Sequence, residues 1–261
     1  MLPSPRILTI ERSADRITLL AVDKPSGWVA HATRPDEPAD LRAWLQQQGH
    51  PGCAPLHRLD RGTSGVLLFS PDPAIRAQLG AELTAGTITK RYLALVIGHA
   101  RRKGIIRTAL DGRRAVTRYG LAERLGGFSL LRVRPQTGRK HQIRRHLHSI
   151  GLPVVGDDRY RPARFRAVPG YPERLFLHAY QLILPDGRTF ESPLPQVLSG
   201  CLEALRGGPR GEAPQGEALQ GEPPQGGVPQ DAADSLSNAP GAADSLSNAP
   251  GAADSLSNAP G

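Results

Sequence analysis

The sequence predicts an α+β domain built on a mostly antiparallel, mixed sheet with flanking helices. Three observations carry that prediction. Strand-like apolar runs outnumber helix-like periodic segments. The two kinds do not alternate regularly, as a doubly wound parallel sheet would require. Asp186-Gly187, between QLILP and RTFES, is a two-residue hairpin signal.

Taken in order, residues 17–22 (ITLLAV) read as a buried strand that stops at Asp23-Lys24-Pro25-Ser26-Gly27. Asp40 caps a helix over 41–48, with Leu41, Trp44 and Leu45 on one face and Gly49 as its stop. Gly65–Ser70 is a strand. Asp72 and Pro73 open a second helix whose Ile75, Leu79 and Leu83 recur every four residues, and Gly86 ends it. Residues 88–97, 115–122 and 128–134 are further strands. A third helix fits 140–150, with Ile143, Leu147 and Ile150 as its buried stripe, before Gly151 and Pro153.

The end of the chain reads differently. From Gly211 to Gln230 a pentapeptide recurs four times, and from Ala232 to Gly261 the decapeptide AADSLSNAPG recurs three times. Neither period is long enough for a solenoid unit. Pro and Gly every few residues leave almost nothing apolar to bury. The expected organisation is therefore a folded domain over 1–206 and a disordered repeat tail over 207–261. The tail holds one arginine and seven acids, which leaves 32 basic and 17 acidic residues in the body, a net charge of +15. Such a field points to a polyanion, most simply nucleic acid. Cys53 and Cys201 stand in no metal or redox spacing. The N-terminus lacks a signal-peptide core, and no apolar run approaches the ~18 residues of a membrane span. A cytoplasmic protein that contacts no membrane and needs no obligate protein partner is expected.

Three stretches carry the chemistry. The first is HRLDRGTSG at 57–65. Asp60 stands between Arg58 and Arg61, in a loop whose Gly62 and Gly65 permit a tight path and whose Thr63 and Ser64 supply local hydrogen bonds. Neighbouring guanidinium groups favour the ionised form of a carboxylate. Asp60 thus suits a nucleophile or a cation stabiliser better than a proton donor. An ordinary structural salt bridge is the plainer alternative. The second stretch is TGRKHQIRRHL at 137–147. Helical spacing puts His141, Arg144, Arg145 and His148 on the side opposite the apolar stripe. That face would meet phosphates, or send an arginine back to Asp60. His141, His146 and His148 are close in sequence, but no carboxylate or thiol completes a set, so no metal is expected. The third stretch is Lys90-Arg91-Tyr92. Tyr92 shares a strand face with Lys90, Ala94 and Val96, and reads either as a half-buried sheet tyrosine or as a platform for a nucleobase.

Together, DKPSGWVAH (23–31), HRLDRGTSGVLLF (57–69), KRYLALVIG (90–98), TGRKHQIRRHLHSIGLPVVGD (137–157) and RLFLHAYQL (174–182) resemble the RluA-type RNA pseudouridine synthases, in that family's order and over residues 17–195. DKPSGW, TRYGL (117–121) and TGRKHQ resemble most the branch of tRNA pseudouridine synthase C. The segment between strand 88–97 and TRYGL is shorter than in that branch, and the repeat tail has no counterpart there. The resemblance implies the isomerisation of uridine to pseudouridine in RNA, with tRNA expected over ribosomal RNA. It implies base flipping and no cofactor. It also implies that Asp60 is the essential carboxylate, that Arg144 pairs with it, and that Tyr92 packs on the uracil or takes its C5 proton. Arg58 would fill the gap left by the flipped nucleotide. Arg61, Arg139, Lys140, His141 and Arg145 complete the expected RNA contacts. Two rivals are a C1′-cleaving hydrolase, which would want a second carboxylate such as Asp157 or Asp158, and a non-catalytic RNA-binding protein on the same fold.

Overall fold

The computed structural model describes residues 2–32, 39–160 and 168–207. The expected repeat tail lies, from residue 208 onward, outside the described residues. In chain order the elements are β1 (Arg6–Ser13), β2 (Arg16–Lys24), α1 (Leu41–Gln47), β3 (Ala54–Pro55), β4 (Ser64–Ser70), α2 (Pro73–Ala85), β5 (Thr89–Ile97), β6 (Lys103–Ile106), β7 (Thr117–Leu125), β8 (Phe128–Pro135), α3 (Gln142–Ser149), β9 (Leu177–Ile183), β10 (Thr189–Glu191) and α4 (Gln196–Gly207). The strands form one sheet in the order β1-β2-β4-β9-β5-β8-β7-β6, with β3 on β4 and β10 on β9. Among the strands of the described residues, only β4 and β9 pair in parallel. The α+β, mostly antiparallel expectation holds.

Period-two alternation sorts the core. Leu20 and Val22 of β2, Leu67 and Phe69 of β4, Tyr92, Ala94 and Val96 of β5, and Leu131 and Val133 of β8 face one cluster. It is covered by Leu41 and Leu45 of α1 and by Ile143 and Leu147 of α3. On the other side of β2 and β4, Leu19, Ala21, Val66 and Leu68 meet Leu79 of α2. On the other side of β5, β7 and β8, Leu95, Leu125 and Leu130 meet Leu198, Cys201 and Leu202 of α4. Strand β4 is thus buried throughout, which is why it reads as an unbroken apolar run.

The local signals act as their chemistry requires. The Asp40 carboxylate accepts from the amides of Arg42 and Ala43, and Asp72 from that of Ala74, so both helices start where an acid can satisfy free amides. Gly86 closes α2 in the left-handed region at φ 76°. Helix α3 starts at Gln142 rather than residue 140, because His141 sits at φ 52° and is not helical. Strands β1, β3 and β6 and helix α4 had no sequence expectation. β1 is an edge strand with bulges against β2, and its weak alternation reflects a half-exposed position.

Gly65 holds φ 125°, and a Cβ there would collide with the carbonyl of Ala179 in the parallel partner strand. That close approach joins the two halves of the sheet directly after the Asp60 loop. Gly65→Ala is expected to cost at least about 2 kcal/mol, the scale of an overpacked site held at positive φ. The corresponding loss in Tm is roughly 5 °C. A thermal melt matching wild type would show that β4 and β9 tolerate a wider spacing.

Candidate active site

Asp60 stands at the start of a turn in which the Thr63 amide donates to the Asp60 carbonyl at 2.9 Å. The turn is held from below by Lys24, whose side chain is wholly buried. Its ammonium donates to the carbonyls of Pro25 at 3.0 Å, Trp28 at 2.6 Å and Arg61 at 3.1 Å. The Gly27 amide also donates to Arg61 O, Arg61 Nε returns a bond to Gly27 O, and Ser26 Oγ donates to Gly62 O. The DKPSG loop and the aspartate loop are therefore laced together. Burial, and after it the charge of Arg174, pushes the Lys24 amine down to about 7. Beyond the turn, Arg174 Nη2 donates to Ser64 Oγ at 2.8 Å. Ser64 in turn meets His178 Nδ1 at 2.9 Å, and His178 Nε2 lies 3.1 Å from Ser192 O. A proton on Nε2 lets Ser64 donate to Nδ1, so this buried chain is fully satisfied.

The aspartate faces a cleft of about 550 Å³. Tyr92 and Lys90 of β5, Arg58, and the loop Gly138-Arg139-Lys140-His141 line it with Asp60. That loop is moulded on the buried amide of Gln142. Its Oε1 accepts from Thr137 Oγ1 at 2.7 Å and from the Arg139 amide at 3.0 Å, while its Nε2 donates to Val116 O and Thr117 Oγ1. His141 then bends left-handed into the cleft, with Nε2 3.9 Å from Asp60 Oδ1 and Nδ1 3.0 Å from the Tyr160 hydroxyl. Burial lowers the His141 pKa although Asp60 works against it, so the ring is a neutral neighbour of Asp60. Tyr92 is almost fully buried. Burial first, and the charge of Asp60 second, hold its phenol well above the ordinary tyrosine range. His57, also on the cleft wall, is pushed down to about 3 by burial and then by Lys90, and its neutral ring accepts weakly from the Leu68 amide at 3.4 Å.

Arg144 departs from the expectation. It does not lie on an exposed basic face and does not hydrogen-bond Asp60. Its guanidinium is buried behind the cleft and grips Asp157 bidentately, with Nε to Oδ2 and Nη2 to Oδ1 both at 2.7 Å, and reaches Asp158 at 3.1 Å. Its Cζ also lies 5.1 Å from the centre of the Tyr160 ring. Asp157 is fully buried, and it also accepts from the amides of Arg159 and Tyr160. Burial works to raise its pKa, but these bonds outweigh it and the net shift is downward. A bidentate partner already committed and shielded from water outcompetes a more distant, partly solvated Asp60. Asp60 reaches Arg144 only as a through-space charge. Elsewhere, His146 is wholly buried between Thr117 Oγ1 and Thr108 O. Arg145 pairs with Asp111, and Arg61 turns to the Gly27 carbonyl. The cleft thus gathers Asp60, Tyr92, Arg58, Arg139, Lys140 and His141, and leaves out Arg61, Arg144 and Arg145.

The sequence reading missed Lys24, Gln142 and the pairing role of Asp157. It assigned Thr63 to scaffolding. The Thr63 amide does hold the turn, but its Oγ1 is buried at the cleft wall with no hydrogen-bond partner among the described residues. A lysine directly after a strand and next to a proline, DKP, was the available signal for Lys24.

The RNA pseudouridylate synthase family model matches residues 18–149. The chain belongs to the RNA pseudouridylate synthase family, as the motifs implied. It is similar to the ribosomal large subunit pseudouridine synthase D of Nitrosomonas europaea, 33% identical over 220 residues that cover 73% of this chain and 64% of that protein. The match thus spans slightly under two thirds of that relative. The tRNA pseudouridine synthase C of Haemophilus ducreyi is 31% identical over 205 residues, covering 66% of this chain and 84% of that one. The human protein RNA Pseudouridylate Synthase Domain Containing 4 shares the fold at a TM-score of 0.63, with 24% identity over 77% of this chain and 92% of that chain.

Arg144→Lys keeps the charge and loses the fork, leaving the buried Asp157 underpaired. The expected cost is roughly 2–3 kcal/mol of stability, read as a fall in Tm of about 5 °C or more. A variant as stable as wild type would mean that Asp157 does not depend on a planar partner.

Proposed function

We propose that the protein isomerises uridine to pseudouridine in RNA, with Asp60 as the reacting carboxylate. The single observation that carries this is the cleft itself. Asp60 is its only carboxylate among the described residues, and it stands beside an aromatic ring under a basic rim. In the reaction the N1–C1′ bond breaks and a C5–C1′ bond forms. The C5 proton leaves and N1 takes one up, so atoms and electrons balance without a redox partner. Both C1′ and C5 must be reached outside the base stack, so the nucleotide is flipped into the cleft. A volume of about 550 Å³ suits an extruded nucleotide. Asp60 acts on the ribose, on the uracil ring or on cationic character at C1′. The Tyr92 ring is the platform for the base. Its raised pKa makes it a hydroxyl donor and a poor acceptor for the C5 proton. Arg58, Arg139 and Lys140 meet the flanking phosphates.

A hydrolase with two carboxylates on one sugar finds no support in this arrangement. Asp157 is bound to Arg144, and the Asp158 side chain is 93% exposed outside the cleft. For the RNA class, the wording of DKPSGW and TRYGL favours tRNA, while relatives are named for ribosomal RNA as well. Pseudouridine mapping of total RNA from cells with and without the gene tests both, since a lost site in large-subunit ribosomal RNA alone would overturn the tRNA reading.

Asp60→Asn preserves size and removes the charge. The side chain is 22% exposed and its nearest cationic candidate is the neutral His141, so the variant is expected to fold and to bind RNA at least as well as wild type. Tritium release from RNA labelled at uracil C5 should disappear; release within about tenfold of wild type, a change of only ~1.4 kcal/mol in the barrier, would remove Asp60 from the chemistry. Thr63 supplies a second test. Its unpaired hydroxyl fits a hydrogen bond to the polar edge of the bound nucleotide. Thr63→Val is expected to leave Tm equal or higher, because an unsatisfied buried hydroxyl costs about 1–3 kcal/mol. It should lower kcat/KM by roughly tenfold, the worth of one hydrogen bond to substrate. Unchanged kcat/KM would make the hydroxyl a bystander.

A further inference from the structure

The side of β5, β7 and β8 that faces away from the cleft is covered at one end by α4, through Leu95, Leu125 and Leu130. The other end carries arginines. Arg118 of β7 pairs in register with Arg134 of β8, and Leu93 of β5 with Arg132 of β8. Arg91 lies one residue beyond the Tyr92–Val133 pair, alongside Arg134. Arg91, Arg118, Arg132 and Arg134 are all exposed. Lys103 of β6, opposite Gly120, extends the group to the sheet edge.

Like charges directly opposite one another on adjacent strands are destabilising, and neighbouring strands are only about 4.8 Å apart. A cross-strand row of guanidinium groups is therefore an unfavourable way to decorate a solvated face, unless carboxylates interleave with it. Here they do not. Among the described residues none of these four arginines forms an ion pair. Arg91 donates to Gln181 Oε1 at 2.7 Å and Arg134 to Thr89 Oγ1 at 2.9 Å, both neutral acceptors. Two acids of the same sheet are already engaged: Glu191 of β10 accepts from Gln181, and Glu123 of β7 is held by Arg206 of α4.

The position of the row adds direction. Arg134 is followed by Pro135, Gln136 and Thr137, and Arg91 is preceded by Lys90, all four of which line the cleft. The row thus begins, along β5 and β8, next to residues that line the cleft.

We propose that the arginine row formed by Arg91, Arg118, Arg132 and Arg134 is a second RNA-binding surface, which holds the phosphate backbone of the RNA segment continuing past the flipped nucleotide. This rests on the synthase reading for the presence of RNA in the cleft, but its contacts are to phosphates and are independent of sequence.

The test replaces all four arginines with glutamine, and in a second variant with lysine. Binding of a mixed-sequence RNA hairpin is measured from about 50 to 200 mM salt, the range over which phosphate contacts dominate affinity. The glutamine variant should lose at least about tenfold in affinity and flatten the log–log salt slope by about 2–4, near ~0.9 for each duplex phosphate that is no longer neutralised. The lysine variant should keep most of both. Melting of the glutamine variant at low salt should be unchanged or higher, because the repulsion is relieved. At saturating protein, tritium release from C5-labelled cellular RNA should match wild type. Equal affinity and slope in the glutamine variant would overturn the surface and leave an ordinary solvated face. A wild-type protein that releases no tritium, while the glutamine variant still loses affinity and slope against it, would instead sink the synthase reading and leave the surface standing.

Discussion

Three backbone carbonyls close around the Lys24 ammonium, and through them two loops far apart in sequence become one support for Asp60. Burying a lysine is expensive unless every donor is matched. Here all three donors are matched, and the matching groups are main-chain atoms of the segments that must stay together. Removing that cation would take the shared donor from the carbonyls of Pro25, Trp28 and Arg61. The position of the aspartate is thus tied to a group that cannot be lost without disrupting both loops. The same logic recurs at Gln142, whose single side-chain amide ties Thr137 and Arg139, at the start of the loop that brings Arg139, Lys140 and His141 to the cleft, to Val116 and Thr117.

The two sides of the sheet divide the work. On one side, α1 and α3 seal the large apolar cluster from which Tyr92 and the Asp60 loop emerge at the cleft. On the other side of β5, β7 and β8, α4 seals only part of the surface, and charge occupies the rest. Part of the body's positive charge lies on the cleft wall, at Arg58, Lys90, Arg139 and Lys140, and part on the exposed arginine row of β5, β7 and β8.

Much of the site was legible because local chemistry advertises it. A glycine-rich turn before an unbroken apolar run announces a loop held at the mouth of a buried strand, and Asp60 and Tyr92 both reached the cleft. Arg144 was misread for a physical reason. Helical spacing identifies which residues share a face, but not whether that face is solvated. A residue three positions from another on a helix looks exposed until a loop such as 156–160 folds over it. Gly156, at φ 75° and too close to the Arg174 carbonyl to carry a Cβ, lets that loop turn back and deliver Asp157 to the guanidinium. The metal-like histidine spacing dissolved for the same reason: His146 points into the core between two threonines, and His141 leaves the helix altogether.

What the sequence by itself determined were the properties set by nearest neighbours along the chain. These are the capped starts of α1 and α2, the apolar strand runs of β2, β4, β5 and β8, the charge of the body, and a motif order specific enough to name a family. Only the tertiary structure decided which charges meet. Lys24 to Arg61, Arg144 to Asp157 and Arg118 to Arg134 are contacts between segments brought together by strand order and loop closure. Electrostatic partnership depends on distance and on exclusion of water, and neither quantity exists until the sheet is assembled.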